Sequence, residues 1–438
     1  MIPAPLRLCV WLCGCVLALS LASCVSTPKV ALDPTDPPDE LQQQLAIDAA
    51  LHVRRARPGN RVTLLQDGTE TFPAMFAALR NARDHINLEY YTFENIHVAG
   101  ESLGDLLERK LRAGVAVNII MDAYGSAHAD PDFLARLRQA GARILVFHPL
   151  TPAALLKLKN PNDRDHRKIM VIDGRVAFVG GINLDRVYEN PPNPEAIARG
   201  DADHAFWSDV DARIEGPAVA DLQHVFFATW AHENGPAMQP RNYFPPPVEV
   251  GNQVVRIIDS APRDTAPREG GPLYYASFLA AVHAAQHSID LSTGFFVPTH
   301  QERQELRRAA QRGVAIRLVV PAISSVPETV AAGRAAYGDL LEVGVHIWER
   351  QDAVLHSKFV TIDGVWTAVG SSNLDRRSVV YNNEVDAIIL GRETAKAARA
   401  MISRDIAHAK EITLSEWRNR SFDERLHEFY GRLWQFLM

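Results

Sequence analysis

Cysteine is almost missing from this chain of 438 residues: four occur, Cys9, Cys13, Cys15 and Cys24, all at the extreme N-terminus. Beyond that segment there is no disulfide and no thiol chemistry. Positive charge is not in excess either. Lys and Arg number 46 against 52 Asp and Glu, a formal net charge of −6, so net charge draws no polyanion to the surface. No aromatic-basic stacking pattern is evident, and nucleic acid is not expected as a partner. What is present is a hydrophobic fraction of 47%, ample for a large core spread over two or three domain-sized units.

Residues 6–21 are almost wholly apolar, with Arg7 their basic residue, and lead into Leu21-Ala22-Ser23-Cys24. The run is short for a membrane span and reads as a secretory signal over 1–23, an uncleaved anchor being the alternative. The small residues before Cys24 resemble the lipobox of bacterial lipoproteins. That resemblance implies lipid on Cys24, a membrane surface as partner, and a periplasm-facing place in the bacterial cell envelope. Val25 stands where a retention signal would carry Asp, which favours the outer membrane. Residues 24–50, rich in Pro, Asp, Ser and Thr, read as a tether.

From residue 59 strands and helices alternate. "GNRVTLLQDG" at 59–68 is a strand, 71–83 an amphipathic helix, 86–93 a strand, 101–113 a helix, 115–122 a strand, 131–140 a helix and 143–147 a strand. The walk then repeats. "GNQVVRIIDS" from Gly251 matches that first strand, "AAVHAAQHSIDLSTGFF" from Ala280 matches "AALRNARDHINLEYYTF" from Ala77, and "QRGVAIRLVV" from Gln311 matches "RAGVAVNIIM" from Arg112. The fold class is therefore α/β, internally duplicated, with halves at 51–233 and 251–438 and a Pro- and Gly-rich seam at 234–250. Each half is expected to end in the same sentence: "DHRKIMVIDGRVAFVGGIN" from Asp165, and "LHSKFVTIDGVWTAVGSSN" from Leu355.

Spacing within that sentence assigns directions. His166 and Lys168, like His356 and Lys358, are two apart, so on a strand an imidazole and an ammonium project from one face. Asp173-Gly174 and Asp363-Gly364 read as tight hairpin turns. The returning strands end in Gly180-Gly181-Ile182-Asn183 and Gly370-Ser371-Ser372-Asn373, whose small residues are expected to let a substrate approach the backbone. Downstream, "SDVDARI" from Ser208 aligns with "NEVDAII" from Asn383, which sets Asp209 opposite Glu384.

The pair His166-x-Lys168-x-x-x-x-Asp173 and His356-x-Lys358-x-x-x-x-Asp363, each followed by a Gly-rich turn and an Asn, resembles the paired motifs of the phospholipase D superfamily. The resemblance implies two α/β/α sandwich halves whose motifs meet at a pseudo-twofold interface in one active site. Phosphodiester exchange needs a nucleophile on phosphorus and an acid on the leaving alcohol, and one imidazole cannot serve both sides at once. By resemblance His166 is the nucleophile that becomes phosphohistidine, and His356 is the acid. Lys168, Lys358, Asn183 and Asn373 hold the non-bridging oxygens, Asp209 and Glu384 orient the histidines, and Asp173 and Asp363 complete the motifs by holding the turns. No metal or cofactor is implied.

"RDHRKIMVIDGRVAFVGGINL" followed by "RIEGPAVADLQ", with "LEYYTF" upstream, resembles the cardiolipin synthase branch, which joins phospholipids such as two phosphatidylglycerols and releases glycerol. A hydrolytic phospholipase D would use the same residues with water as acceptor. A periplasmic phosphodiesterase on nucleic acid is disfavoured by charge, and a non-catalytic scaffold by the survival of every motif His and Lys. Two segments could touch a bilayer, "LTPAALLKLKN" at 150–160 and the aromatic-rich 421–438, against a core-packing alternative.

Overall fold

The computed structural model describes residues 55–151, 162–261 and 272–421, with the single positions 27 and 425. The segments at 152–161 and 426–438, and Cys24, lie outside the described residues.

The strands are short and mostly apolar, and the central ones of each half, such as Lys168–Ile172 and Lys358–Ile362, are buried along their whole length on both faces. In the first half they run, side by side, Arg57–Gln66, Val210–Glu215, Val176–Gly180, Lys168–Ile172, His85–Tyr90, Ala116–Asp122 and Arg143–Phe147. In the second half the same order recurs as Gln253–Ser260, Asn382–Leu390, Trp366–Gly370, Lys358–Ile362, Ser288–Thr293, Ala315–Pro321 and His346–Arg350, with Ala409–Ile412 added at the edge. The two first strands pair antiparallel, Arg57 with Val255 and Asn60 with Gln253, so both halves share one continuous sheet.

Alternation along each strand divides the core. Met170, Ile172 and Phe178 face helices Asp67–Asn81, Leu103–Arg112 and Pro131–Ala140, while Ile169, Val171, Ala177 and Val179 face the opposite way. That second face packs with Phe359, Val369, Val385 and Ile389 of the other half, beneath helices Val219–His232 and Arg392–Ala407. Each half thus has its own core, and a third core lies between them. Burial of apolar surface stabilises folding by roughly 25 cal/mol per Å², so this shared layer makes the two halves one folding unit rather than two tethered beads.

Two expectations are corrected. Neither half ends in its motif: each continues through a further strand and helix, Val210–Glu215 with Val219–His232, and Asn382–Leu390 with Arg392–Ala407. The first helix begins at Asp67, not at residue 71, since the Glu70 carboxylate accepts the Gln66 N–H at 2.9 Å and satisfies an N-terminal donor of the helix. The seam segment packs on the first half, with Tyr243 against His85 at 4.7 Å and Phe244 against His224 at 4.4 Å between ring centroids.

The hairpin aspartates are built into the strands. Asp173 and Gly174 have φ of 53° and 60°, Asp363 and Gly364 of 53° and 65°, the left-handed pair of a type I′ turn. The Asp173 carboxylate accepts the backbone N–H groups of Arg83, Asp84 and His85 at 2.8–2.9 Å, and Asp363 those of Gln286, His287 and Ser288 at 2.8–2.9 Å. Each carboxylate therefore ties its hairpin to the start of the adjacent strand. Because a hydrogen bond to a charged group contributes about 1.5–3 kcal/mol, Asp173→Ala is expected to lower the unfolding free energy by at least about 3 kcal/mol. Urea unfolding checks this, and a loss below about 1 kcal/mol would refute it.

Candidate active site

Each motif histidine sits two residues before a central hairpin strand, and the two residues ahead of it form a short strand of their own. Arg164 and Asp165 pair in parallel with Asn382 and Asn383, and Val354 and Leu355 pair in parallel with Trp207 and Ser208. The His166 N–H then donates to the Asn383 carbonyl at 2.9 Å, and the His356 N–H to the Ser208 carbonyl at 2.8 Å. Each histidine is thereby stitched to the other half, directly beside that half's carboxylate.

The side chains follow the backbone across. His166 Nδ1 lies 3.0 Å from the Glu384 carboxylate, and His356 Nδ1 lies 2.8 Å from Asp209 Oδ2. The orienting carboxylates are exchanged between halves. With Nδ1–H donated to a carboxylate, the hydrogen-bond network assigns the tautomer that leaves each Nε2 with its lone pair. Glu384 is fully buried and also accepts from Ser371 Oγ at 2.5 Å, Ser378 Oγ at 2.8 Å and Asn382 Nδ2 at 3.2 Å. Burial pushes its carboxyl up, but His166, Lys168 and the Ser371 hydroxyl together hold it below its ordinary value, so it is ionised.

Lys168 and Lys358 are buried beside the imidazoles. Lys168 Nζ donates to the His166 carbonyl at 2.6 Å and stands 5.3 Å from the centre of the Tyr91 ring. Lys358 Nζ donates to the His356 carbonyl and lies 2.9 Å from His356 Nδ1. Loss of water pulls Lys168 down to about 7 and Lys358 to about 8. Burial, followed for His356 by the neighbouring Lys358 ammonium and for His166 by that of Lys168 against the opposing pull of Glu384, lowers His166 to about 4 and His356 to about 3. Both imidazoles are expected to stay neutral as pH falls through 6.5, charging only toward 4 and 3. Nitrogen-15 spectra of labelled histidines at pH 6 check this, and a titration midpoint between 6 and 7 for either ring would refute it.

His166, His356, Asn183 and Asn373 line one cleft of about 320 Å³, with Tyr91, Trp207, Phe295, Arg164 and Arg377. Asp173 and Asp363 do not join them, because a five-residue strand at about 3.3 Å per residue sets the turn and the motif histidine far apart. Their carboxylates work in the hairpins, on the backbone N–H groups of the adjacent strands. The Gly-rich ends are corrected. A Cβ at Gly180 would collide with Asp211, at Gly181 with Asp209 and at Gly370 with Asp386, so these glycines make room for carboxylates of the next strand and not for substrate.

Four residues escaped the sequence reading. Tyr188 and Ser378 each stand five after the motif Asn; the Tyr188 hydroxyl donates to Asp209 Oδ2 at 3.0 Å and lies 2.9 Å from His356 Nδ1, as Ser378 serves Glu384. Tyr188 lies in a stretch after the first motif that is longer than its counterpart in the second half. Asp211 and Asp386 accept the backbone N–H groups of Ile182 and Ser372 at 3.2 and 3.3 Å, and burial raises Asp211 well above the carboxylate range and Asp386 to about 8. Their signal was the shared Val-Asp-Ala of the two aligned segments.

Among the described residues no group of three or more His, Cys, Asp or Glu could hold a metal ion, and no helix is long and apolar enough to cross a membrane. A family model described as "Cardiolipin synthase, PLD-like domain" matches residues 75–198 and again 278–406. A cardiolipin synthase of Geobacillus kaustophilus is 33% identical over 377 residues, spanning 85% of this chain and 72% of that one. A probable cardiolipin synthase of Bacillus subtilis is 31% identical over 375 residues, spanning 85% and 71%. Among solved structures, phosphatidylserine synthase of Haemophilus influenzae superposes with a TM-score of 0.63 at 13% identity, over 90% of this chain and 98% of that one, a likeness of fold. With both copies of the domain matched and both histidines brought into one cleft, the chain belongs to the phospholipase D-like family of the cardiolipin synthases.

Proposed function

We propose that this protein is a phosphatidyltransferase of the cardiolipin synthase type, moving a phosphatidyl group from one phospholipid to a hydroxyl of another through a phosphohistidine. The observation that carries this reading is the crossed pair of His–carboxylate contacts, which turns two Nε2 atoms toward one cleft. His166 Nε2 attacks phosphorus; the bond from phosphorus to the leaving alcohol oxygen breaks, and His356 supplies the proton to that oxygen. The acceptor hydroxyl then gives its proton to His356 as its oxygen bonds phosphorus, and the phosphorus–nitrogen bond breaks. Lys168, Lys358, Asn183 and Asn373 hold the non-bridging oxygens as negative charge gathers on them.

The division of labour follows from surroundings. Ionised Glu384, saturated with donors, offsets the positive charge that builds on a phosphorylated His166. Lys358, close to His356 Nδ1, makes that ring a poorer nucleophile and a readier proton donor. Because His356 rests neutral, it takes up a proton from solvent when the anionic phosphodiester binds and the added negative charge raises the pKa of the imidazole. In this reading phosphatidylglycerol is a substrate, and lipid on Cys24 would hold the enzyme on the bilayer, raising the local concentration of both partners. A periplasm-facing envelope location, with the outer membrane favoured by Val25, belongs to the same reading.

Lipid mass spectrometry tests it. Purified protein incubated with vesicles of phosphatidylglycerol and phosphatidylethanolamine is expected to form cardiolipin. Phosphatidic acid as the sole product would make it a hydrolase, and no phospholipid product from folded protein would refute the reading.

A further inference from the structure

The pseudo-twofold is broken at the cleft in a consistent direction. Arg164 stands two residues before His166, and its counterpart two residues before His356 is Val354. Arg377 stands four residues after Asn373, and its counterpart after Asn183 is Val187. Asn382, paired with Arg164, has as its counterpart Trp207, paired with Val354. Three polar groups that line the cleft are answered, in the other half, by an indole at the cleft and two valines of the first core. Val354 is buried in the first core, with Val187 packed against it.

The two guanidiniums also keep company. Both line the cleft, both act on the Tyr91 hydroxyl, and Arg377 donates to the Asn162 carbonyl at 3.1 Å, two residues from Arg164. Arg164 is 5% exposed, held by the His148 carbonyl at 3.3 Å and by Asp122 at 3.8 Å. Beside them, Asn382 Oδ1 is buried with no hydrogen-bond partner, an acceptor in want of a hydroxyl. The planar fork of Arg matches phosphate oxygens two at a time. The lysines of the motifs already serve the phosphorus that reacts.

We propose that Arg164 and Arg377 form a second anion site, which takes the phosphodiester of the acceptor phospholipid. This rests on the transferase reading and deepens it. The glycerol of the headgroup separates the acceptor's phosphate from its reacting hydroxyl, so a hydroxyl offered to His356 leaves its phosphate at the opposite wall, where the guanidiniums stand. The pair thereby selects an anionic lipid over a neutral alcohol or water as acceptor.

Competition between acceptors tests the proposal. Labelled phosphatidylglycerol vesicles are supplied with excess 1-propanol, and the ratio of cardiolipin to phosphatidylpropanol is read from the same reaction. Both products share one phosphoenzyme, so the ratio reports acceptor choice alone. Arg377→Val, which installs the residue found at the matching position of the other half, is expected to lower that ratio at least about tenfold, the effect of one charge-assisted contact, and Arg377→Lys to fall between. Phosphatidylpropanol from each variant shows that the site is folded and reactive. A ratio unchanged in Arg377→Val overturns the second site. Excess inorganic phosphate leaves the wild-type ratio intact if the lipid phosphodiester is the occupant; a ratio driven to the variant's value shows free phosphate as the occupant and overturns the lipid assignment. Failure of wild type to form either product refutes the transferase reading instead.

Discussion

His166→Ala and His356→Ala are each expected to lower the rate of phosphatidyl transfer by at least about 10³-fold, and the double variant to be little worse than either. In the proposed path one imidazole supplies the covalent partner and the other the proton, and general acid–base assistance alone is worth about 10²–10⁴; losing either stops the same two-step path, so the effects do not add. The variants also separate the roles. His356→Ala attacks phosphorus but releases the product slowly, so a phosphatidyl adduct should accumulate on His166 and be found by mass spectrometry of peptides. An adduct on His356 in the His166→Ala protein would reverse the assignment, and full activity in either variant would refute a shared site. Both substitutions leave the backbone bonds to Asn383 and Ser208 in place, so folding should survive.

The second expected result concerns the exchanged carboxylates. Glu384→Gln removes the charge beside His166, and Asp209→Asn the charge beside His356. Each carboxylate raises the pKa of the ring it touches; its loss should lower that ring's pKa further, free its tautomer, and reduce transfer by roughly 10²–10³-fold, as when a preorganised electrostatic partner is removed. The discriminating readout is which ring responds. Nitrogen-15 spectra should show His166 changed by Glu384→Gln, and His356 changed by Asp209→Asn, with the other ring little altered. The reverse pattern would mean that each carboxylate serves its own half.

Much of the architecture was legible without coordinates. The helix at Pro131–Ala140 and the strand at Arg143–Phe147 fall at the positions that Pro, Gly and apolar spacing indicated. The His-x-Lys pairs and Asp-Gly turns were legible because chemistry and local geometry coincide there: period-2 spacing points two side chains one way, and a turn needing positive φ selects Asp-Gly. The glycines were misread for the opposite reason. A small residue reports that something approaches closely, but the pattern does not say whether it is a substrate or the next strand's aspartate. Tyr188 was passed over since its stretch has no counterpart in length in the other half, although its fifth place after Asn183 matches that of Ser378 after Asn373.

By itself, the sequence determined the duplication, the α/β class and the two His-x-Lys motifs, because each of these is carried by local spacing repeated along the chain. Only the tertiary structure decided which carboxylate holds which histidine, and that two arginines gather on one wall of the cleft. His166 and Glu384 are separated by 218 positions and Asp209 and His356 by 147. No local period spans such distances; the partners meet because a short parallel pairing lays each histidine's strand against the other half, across a core that both halves must bury together.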